Sequence, residues 1–203
     1  MSRILAVLAL LLGSVTAALA QDISTDPAKA PSGTYALETR HSQVLFAIPH
    51  LGLTDFWGRF DGVSGSLNFN GAALEKSTVT IAIDMTSVDT PSQRLNSELS
   101  GPNVFDAAAN PAATFQSTGI TRTGPNSGTI TGKLTLHGVT RPVTLNVTFN
   151  GGRDSPMGQG YDLGFSATAT IKRTDFGITG MPWEPMVGDN VTLTIEALFE
   201  KKS

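Results

Sequence analysis

The sequence predicts an all-β protein, an eight-stranded antiparallel barrel with one short helical insertion. Three observations predict it. Apolar and polar residues alternate in about eight segments, the period of a sheet with one apolar and one wet face, as in antiparallel sheets. Several of these runs extend to about ten residues, against a usual strand length of roughly five or six. Gly62 and Gly65 interrupt one long run, as glycines do where a sheet bends or bulges to curl on itself. Eight strands closed in this way leave an interior just wide enough for side chains or one small ligand. A two-sheet sandwich accommodates the same count, and the strand length favours the barrel.

Residues 1–20 read as a cleaved leader. Ser2-Arg3 gives a short positive start, Ile4 to Leu12 an apolar core and Ala18-Leu19-Ala20 a small-residue cleavage site. The Ser, Thr and Gly residues between Gly13 and Thr16 argue against a spanning helix, which needs about 20 apolar residues. Residues 21–32 lack any apolar period and read as a flexible linker, and 33–203 form the folded domain. The domain opens with two long strands, one carrying Val44, Phe46 and Ile48, the other Phe60, Leu67 and Phe69. They are joined by an aromatic turn containing His50, Phe56 and Trp57. Ser77 to Met85 alternates through Val79, Ile81 and Ile83. Ser92 then caps a short helix through Ser100, with Leu95 and Leu99 one turn apart. Gly101-Pro102 ends it, and the following turn carries Phe105.

Strands resume at Ala112 around Phe115. Gly124 to Gly128 is a turn, and Thr129 to His137 alternates through Leu134 and Leu136. His137-Gly138 leads into a strand from Pro142 with Val143, Leu145, Val147 and Phe149 on one face. Gly151 to Gly160 reads as a glycine-rich loop, Tyr161 to Ile171 as a strand through Leu163 and Phe165, and Thr174 to Gly188 as irregular chain with Phe176 and Trp183. The last strand alternates through Val191, Leu193, Ile195 and Phe199.

Composition excludes several classes. Taking 20 residues from the 203 leaves 183, one domain with a sizeable core, and removes one Arg, so the formal charge moves from −3 to −4. A mildly acidic chain without a basic cluster is a poor nucleic-acid binder. With no cysteine the fold does not rely on disulfides and carries no lipid-modified cysteine, a combination suited to a bacterial periplasmic protein. His41, His50 and His137 lack metal-ligand spacing. His41 and His137 read as turn residues that bond backbone, and His50 as a residue at the barrel mouth facing a ligand. Gly62-Val63-Ser64-Gly65-Ser66 misses the last glycine of a nucleophile elbow and lies in a strand. The carboxylates Asp84 and Glu196 fall on the outer face.

The inward candidates are therefore apolar: Val44, Phe46, Ile48, Phe60, Leu67, Ile81, Ile83, Phe115, Leu134, Leu136, Val143, Leu145, Phe165 and Ile195. His50, Phe105, Phe176 and Trp183 join them from the turns and irregular segments. Alternation alone leaves a packed barrel and a hollow one equally open.

Six segments carry a family resemblance: HSQVLFAIPHLG at 41–52, GRFDGVSGSLNF at 58–69, SVDT at 87–90, FDAAANPAATFQST at 105–118, GKLTLHGVTRPVTL at 132–145 and RTDFGI at 173–178. In this order and spacing they resemble the YceI-like family of secreted bacterial lipid-binding proteins, from Tyr35 to Phe199. The resemblance implies a lipocalin-like barrel whose apolar tunnel holds a polyisoprenoid chain, such as the tail of a quinone or prenyl phosphate. It also implies a periplasmic binding protein without cofactor, metal or catalytic centre, and without stable membrane insertion; a homodimer is compatible with it. Relatives carry an R-D-x-H-L pattern on the helix, where this chain has Leu95, Asn96, Ser97, Glu98 and Leu99, with Arg94 one position early and no His. Headgroup recognition does not carry over at those positions. Two other readings compete with a carrier: an isomerase- or cyclase-type enzyme acting on a lipid in the same barrel, and a ligand-free β-module for protein interaction.

Overall fold

A computed structural model describes residues 23–156 and 160–201. The expected leader lies outside the described residues. The strands are β1 (Gly33–Leu37), β2 (Gln43–His50), β3 (Thr54–Phe60), β4 (Val63–Phe69), β5 (Thr78–Asp84), β6 (Val88–Asp89), β7 (Ala112–Arg122), β8 (Ser127–Leu136), β9 (Val139–Asp154), β10 (Tyr161–Lys172) and β11 (Asn190–Lys201). One α-helix, α1 (Gln93–Ser100), lies between β6 and β7.

All pairings between strands are antiparallel, and the sheet closes where β11 pairs both β1 and β2. The eleven segments make eight barrel strands, because β1 with β2, β3 with β4, and β5 with β6 are each one long strand interrupted once. Side chains explain the first two interruptions. Between β1 and β2 the buried Glu38 carboxylate accepts hydrogen bonds from the backbone N–H groups of Arg40 (3.2 Å) and His41 (2.8 Å), turning the chain out of the ladder. Ser42 Oγ accepts from the Leu198 N–H (3.0 Å) and so keeps that stretch tied to β11. Between β3 and β4 the Gly62 N–H donates to Ser87 Oγ (2.8 Å) instead of to a strand neighbour. The bend expected at Gly62 is present.

The helix forms as expected, with Ser92 Oγ accepting from the Leu95 N–H (3.3 Å). The glycine-rich loop expected over 151–160 starts later. Here β9 continues through Gly151 and Gly152 to Asp154, paired with β10 across a register shift at Gly164/Phe165. Backbone pairing there needs no side chain, so apolar periodicity does not report it. The described part of the expected linker, residues 23–32, is pinned to the barrel. Ser24 forms a bridge with Gly152, Asp26 caps a 3₁₀ turn at Pro27–Lys29, Ala30 is buried, and Tyr35 Oη donates to the Pro31 carbonyl (2.6 Å). Among the described residues no helix is long and apolar enough to cross a membrane.

Candidate ligand cavity

Strand alternation turns the apolar side chains inward, yet they do not fill the barrel. The main cavity, about 300 Å³, lies where β2, β3, the start of β7, the end of β8 and the start of β11 meet α1 and the 173–189 segment. A second, about 130 Å³, occupies mid-barrel, and a third, about 80 Å³, reaches the β7–β8 turn. Val44, Ile83, Leu134 and Leu193 line both the first and the second. Leu67, Ile130, Val147 and Phe165 line both the second and the third. The three lobes thus follow one another along the barrel axis.

Two glycines shape the wall. Phe46 lies over Gly58 on the neighbouring strand, and Phe115 lies over Gly132; a Cβ at either glycine would collide with the ring. The rings therefore lie against the wall and leave the axis open. At the mouth, Leu95 and Leu99 of α1 and Val104 and Phe105 of the following turn close one side. Asn96 fastens this helix: its Oδ1 accepts from the Thr90 N–H (2.9 Å) and Oγ1 (2.7 Å). Glu98 pairs with Arg94 at 2.9 Å on the outer surface. Leu95, Asn96 and Leu99 thus supply apolar lining and helix anchoring here.

The opposite side of the mouth is the 173–189 segment, organised by Arg173. Its side chain is buried and lines the main cavity, with Nε donating to Gly188 O (3.1 Å) and Nη1 to Ile178 O (2.8 Å) and Glu184 Oε1 (2.8 Å). The Arg173 hydrogen bond, with one from the Gly180 N–H, holds the Glu184 carboxyl below its ordinary range. Its neighbours in the sequence give no signal that this arginine is a loop clasp.

Seventeen of the eighteen expected site residues line these lobes. Val44, Phe46, Ile48, His50, Phe60, Ile83, Phe105, Leu134, Leu136 and Trp183 line the main one. Leu67, Ile81, Phe115, Val143, Leu145, Phe165 and Ile195 line the second. Phe176 is the exception. It is 1% exposed, packed within the 3₁₀ turn Arg173–Phe176, and lines none of the three. The turn closes on Gly177 in the left-handed region and takes the ring out of line with the cavity wall. Leu193, Val191, Ile171, Met85 and Met181 line the main lobe without having been singled out. For Val191 and Leu193 the alternation through Ile195 was a sufficient signal.

His137 Nδ1 sits 3.2 Å from the Phe176 carbonyl, as a turn residue bonding backbone should. His41 differs, since its Nδ1 meets Glu38 Oε2 at 2.7 Å, a side-chain partner placed by the strand break.

A domain model described as YceI-like matches residues 35–199. The chain belongs to the YceI-like family. Among curated relatives, a UPF0312 protein of Pseudomonas savastanoi is 38% identical over 143 residues, 70% of this chain and 74% of that one. Another, from Pseudomonas aeruginosa, is 40% identical over 141 residues, 70% of this chain and 73% of that one. The crystal structure of Burkholderia cenocepacia BcnA superposes with a TM-score of 0.72 at 26% identity, covering 80% of this YceI-like chain and 98% of BcnA. A polyisoprenoid binding domain from Saccharophagus degradans shares the fold with a TM-score of 0.64 at 20% identity, covering 83% and 98% respectively. The closed eight-stranded antiparallel barrel with one helix is the fold of this group.

Proposed function

We propose that this chain is a non-enzymatic binder of a long-chain isoprenoid lipid, such as a quinone tail or prenyl phosphate, held in the barrel and carried or stored in the periplasm. The observation that carries the proposal is the axial series of lobes whose walls are almost wholly apolar. A flexible hydrocarbon chain matches such a space, and each buried CH₂ contributes about 0.8 kcal/mol without any polar group. The S. degradans domain's polyisoprenoid binding belongs to that domain, and the case for this chain rests on its own wall. The leader pattern of residues 1–20 supports export. An enzyme on the same lipid needs a proton donor and acceptor among the lining residues. In the main lobe the described residues offer His50 and Arg173, and Arg173 is engaged by Ile178, Gly188 and Glu184. The second lobe adds Glu196, expected on the outer face, which is exposed and accepts from Ser166 Oγ at 2.7 Å.

Mass spectrometry of an organic extract from protein purified out of the periplasm tests the reading. A stoichiometric prenyl lipid is the expected result. Protein that stays empty after incubation with quinones and fatty acids would sink it.

A further inference from the structure

Five large apolar side chains are exposed among the described residues, and four share one end of the barrel. Leu51 (57% exposed) and Leu53 (82%) form the β2–β3 turn, and Trp57 stands three residues along β3. Met186 is exposed beside them, its carbonyl accepting from the Leu51 N–H at 2.7 Å. The turn is tight, with Leu53 N–H donating to His50 O (3.1 Å) and φ of 55° at Leu51 and 68° at Gly52. Two positive φ values suit Asn or Gly. A leucine there is held in the left-handed region against its steric preference while most of its side chain faces water. Neither folding nor solubility accounts for that choice.

The patch is continuous with the cavity. Met186 is exposed and also lines the main lobe, as do His50 and Val187 on either side of it. The turn from Pro49 to Thr54 contains no Asp, Glu, Lys or Arg. The rim is apolar apart from one exposed carboxylate, Asp55, between Leu53 and Trp57. An apolar rim carrying a tryptophan has the composition of a group that settles at a membrane interface, where tryptophan is enriched.

We propose that the β2–β3 turn, with Trp57 and Met186, docks this protein onto a zwitterionic lipid surface and sets the cavity mouth against it. A lipid chain then moves between bilayer and barrel over Met186 and His50 without crossing water. That purpose rests on the lipid-binding reading above; the docking itself does not.

The chain's two tryptophans separate the two ideas, since Trp57 lies in the patch and Trp183 lines the cavity. The mature Trp183→Phe chain, with Trp57 as its sole indole, is titrated with phosphatidylcholine vesicles. A blue shift of Trp57 emission, co-sedimentation, and little change on raising salt are expected. Leu53→Asp should lower vesicle partitioning at least about tenfold, the loss expected when a leucine no longer enters an apolar phase. Absence of vesicle binding, or binding that survives both Leu51→Asp and Leu53→Asp, overturns the proposal. So does sedimentation showing a dimer that Leu53→Asp dissociates, because a second copy then covers the patch. In the Trp57→Phe chain, Trp183 reports a short isoprenoid alcohol added directly. A response there without vesicle binding removes the docking and leaves the lipid reading, and the reverse removes the lipid reading alone.

Discussion

At the end of the barrel built by β1, β4 and the facing parts of β9, β10 and β11, aromatic rings meet one another across strands. Tyr35 packs edge-on to Phe69 (6.1 Å between centroids), Phe69 against Phe149 (6.5 Å), Phe149 against Phe165 (5.3 Å) and Phe165 edge-on to Phe199 (5.9 Å). At the other end Phe60 lies 5.7 Å from both Phe46 and Phe105, yet the main cavity lies among these three rings. The residue type is the same, and its support differs. The rings of the first end stand on paired strands, with Tyr35 further held by the Pro31 carbonyl, and the lobe that Phe69, Phe149 and Phe165 line there is only about 80 Å³. The mouth is closed by a helix, a turn and the 173–189 segment, held by a few side-chain hydrogen bonds. Aromatic content therefore says little about whether a barrel end is plugged; the elements that carry the rings decide it.

Truncating each end is the strongest way to break this comparison. Phe149→Ala should cost about 3–5 kcal/mol, the range for a buried ring deleted from a core that cannot collapse. Phe105→Ala, at the half-buried mouth, should cost distinctly less, and urea unfolding of the two variants measures the difference. Equal losses would mean the mouth is packed as firmly as the end around Phe149.

Arg173→Met comes next. It strands the Ile178 and Gly188 carbonyls and the Glu184 carboxylate, at a cost of about 2–3 kcal/mol. Hydrogen exchange should rise across residues 177–189 and stay unchanged in β1 and β4. A uniform rise would show that the segment is not a separate unit of the mouth.

Leu193→Phe, at the junction of the first two lobes, should cost about 1 kcal/mol through overpacking. Its main effect is on ligands: long isoprenoid chains lose affinity while chains short enough for the mouth lobe keep theirs, as direct binding titrations would read. Equal affinity for both lengths would mean the lobes are not used in series.

A pH titration probes the smallest effect. Burial pushes the Glu38 carboxyl up, and the hydrogen bonds from Arg40 and His41 outweigh it, bringing it from 4.5 down to about 2. The folded value is depressed, so the stabilisation is fully present above about pH 4.5 and is lost as pH falls toward about 2. Glu38→Gln should lower stability at neutral pH and flatten the profile over that window, so that the two proteins converge as pH falls toward about 2 in acid-unfolding experiments.

Most of the barrel is legible in the sequence because its strands are half-wet, so inward and outward residues alternate. The same period places Val44, Ile83, Leu134 and Ile195 on the cavity wall. Four features escape it. The strand breaks depend on what Glu38 and Ser87 bond to, which no local pattern encodes. The pinned segment 23–32 is held by backbone and by the Tyr35 hydroxyl, so its polar composition resembles that of a free linker. Phe176 reads like Phe165, but its backbone turns at Gly177 and its ring leaves the wall. That the barrel is hollow is a matter of where Phe46 and Phe115 lie relative to Gly58 and Gly132, across strands and invisible to alternation.

The pairing of β11 with β1 and β2 has a kinetic meaning. Every other barrel strand pairs with its neighbours along the chain, so most of the sheet grows by local contacts that close quickly. The seam joins residues such as Leu37 and Phe199, or Val44 and Ile195, across nearly the whole domain. Loop closure over that separation is the slow, entropically expensive step. Until Asn190–Lys201 arrives, the nascent sheet has two open edges and no enclosed interior. The last strand is thus the latch of assembly, and the lipid space comes into existence only when it closes.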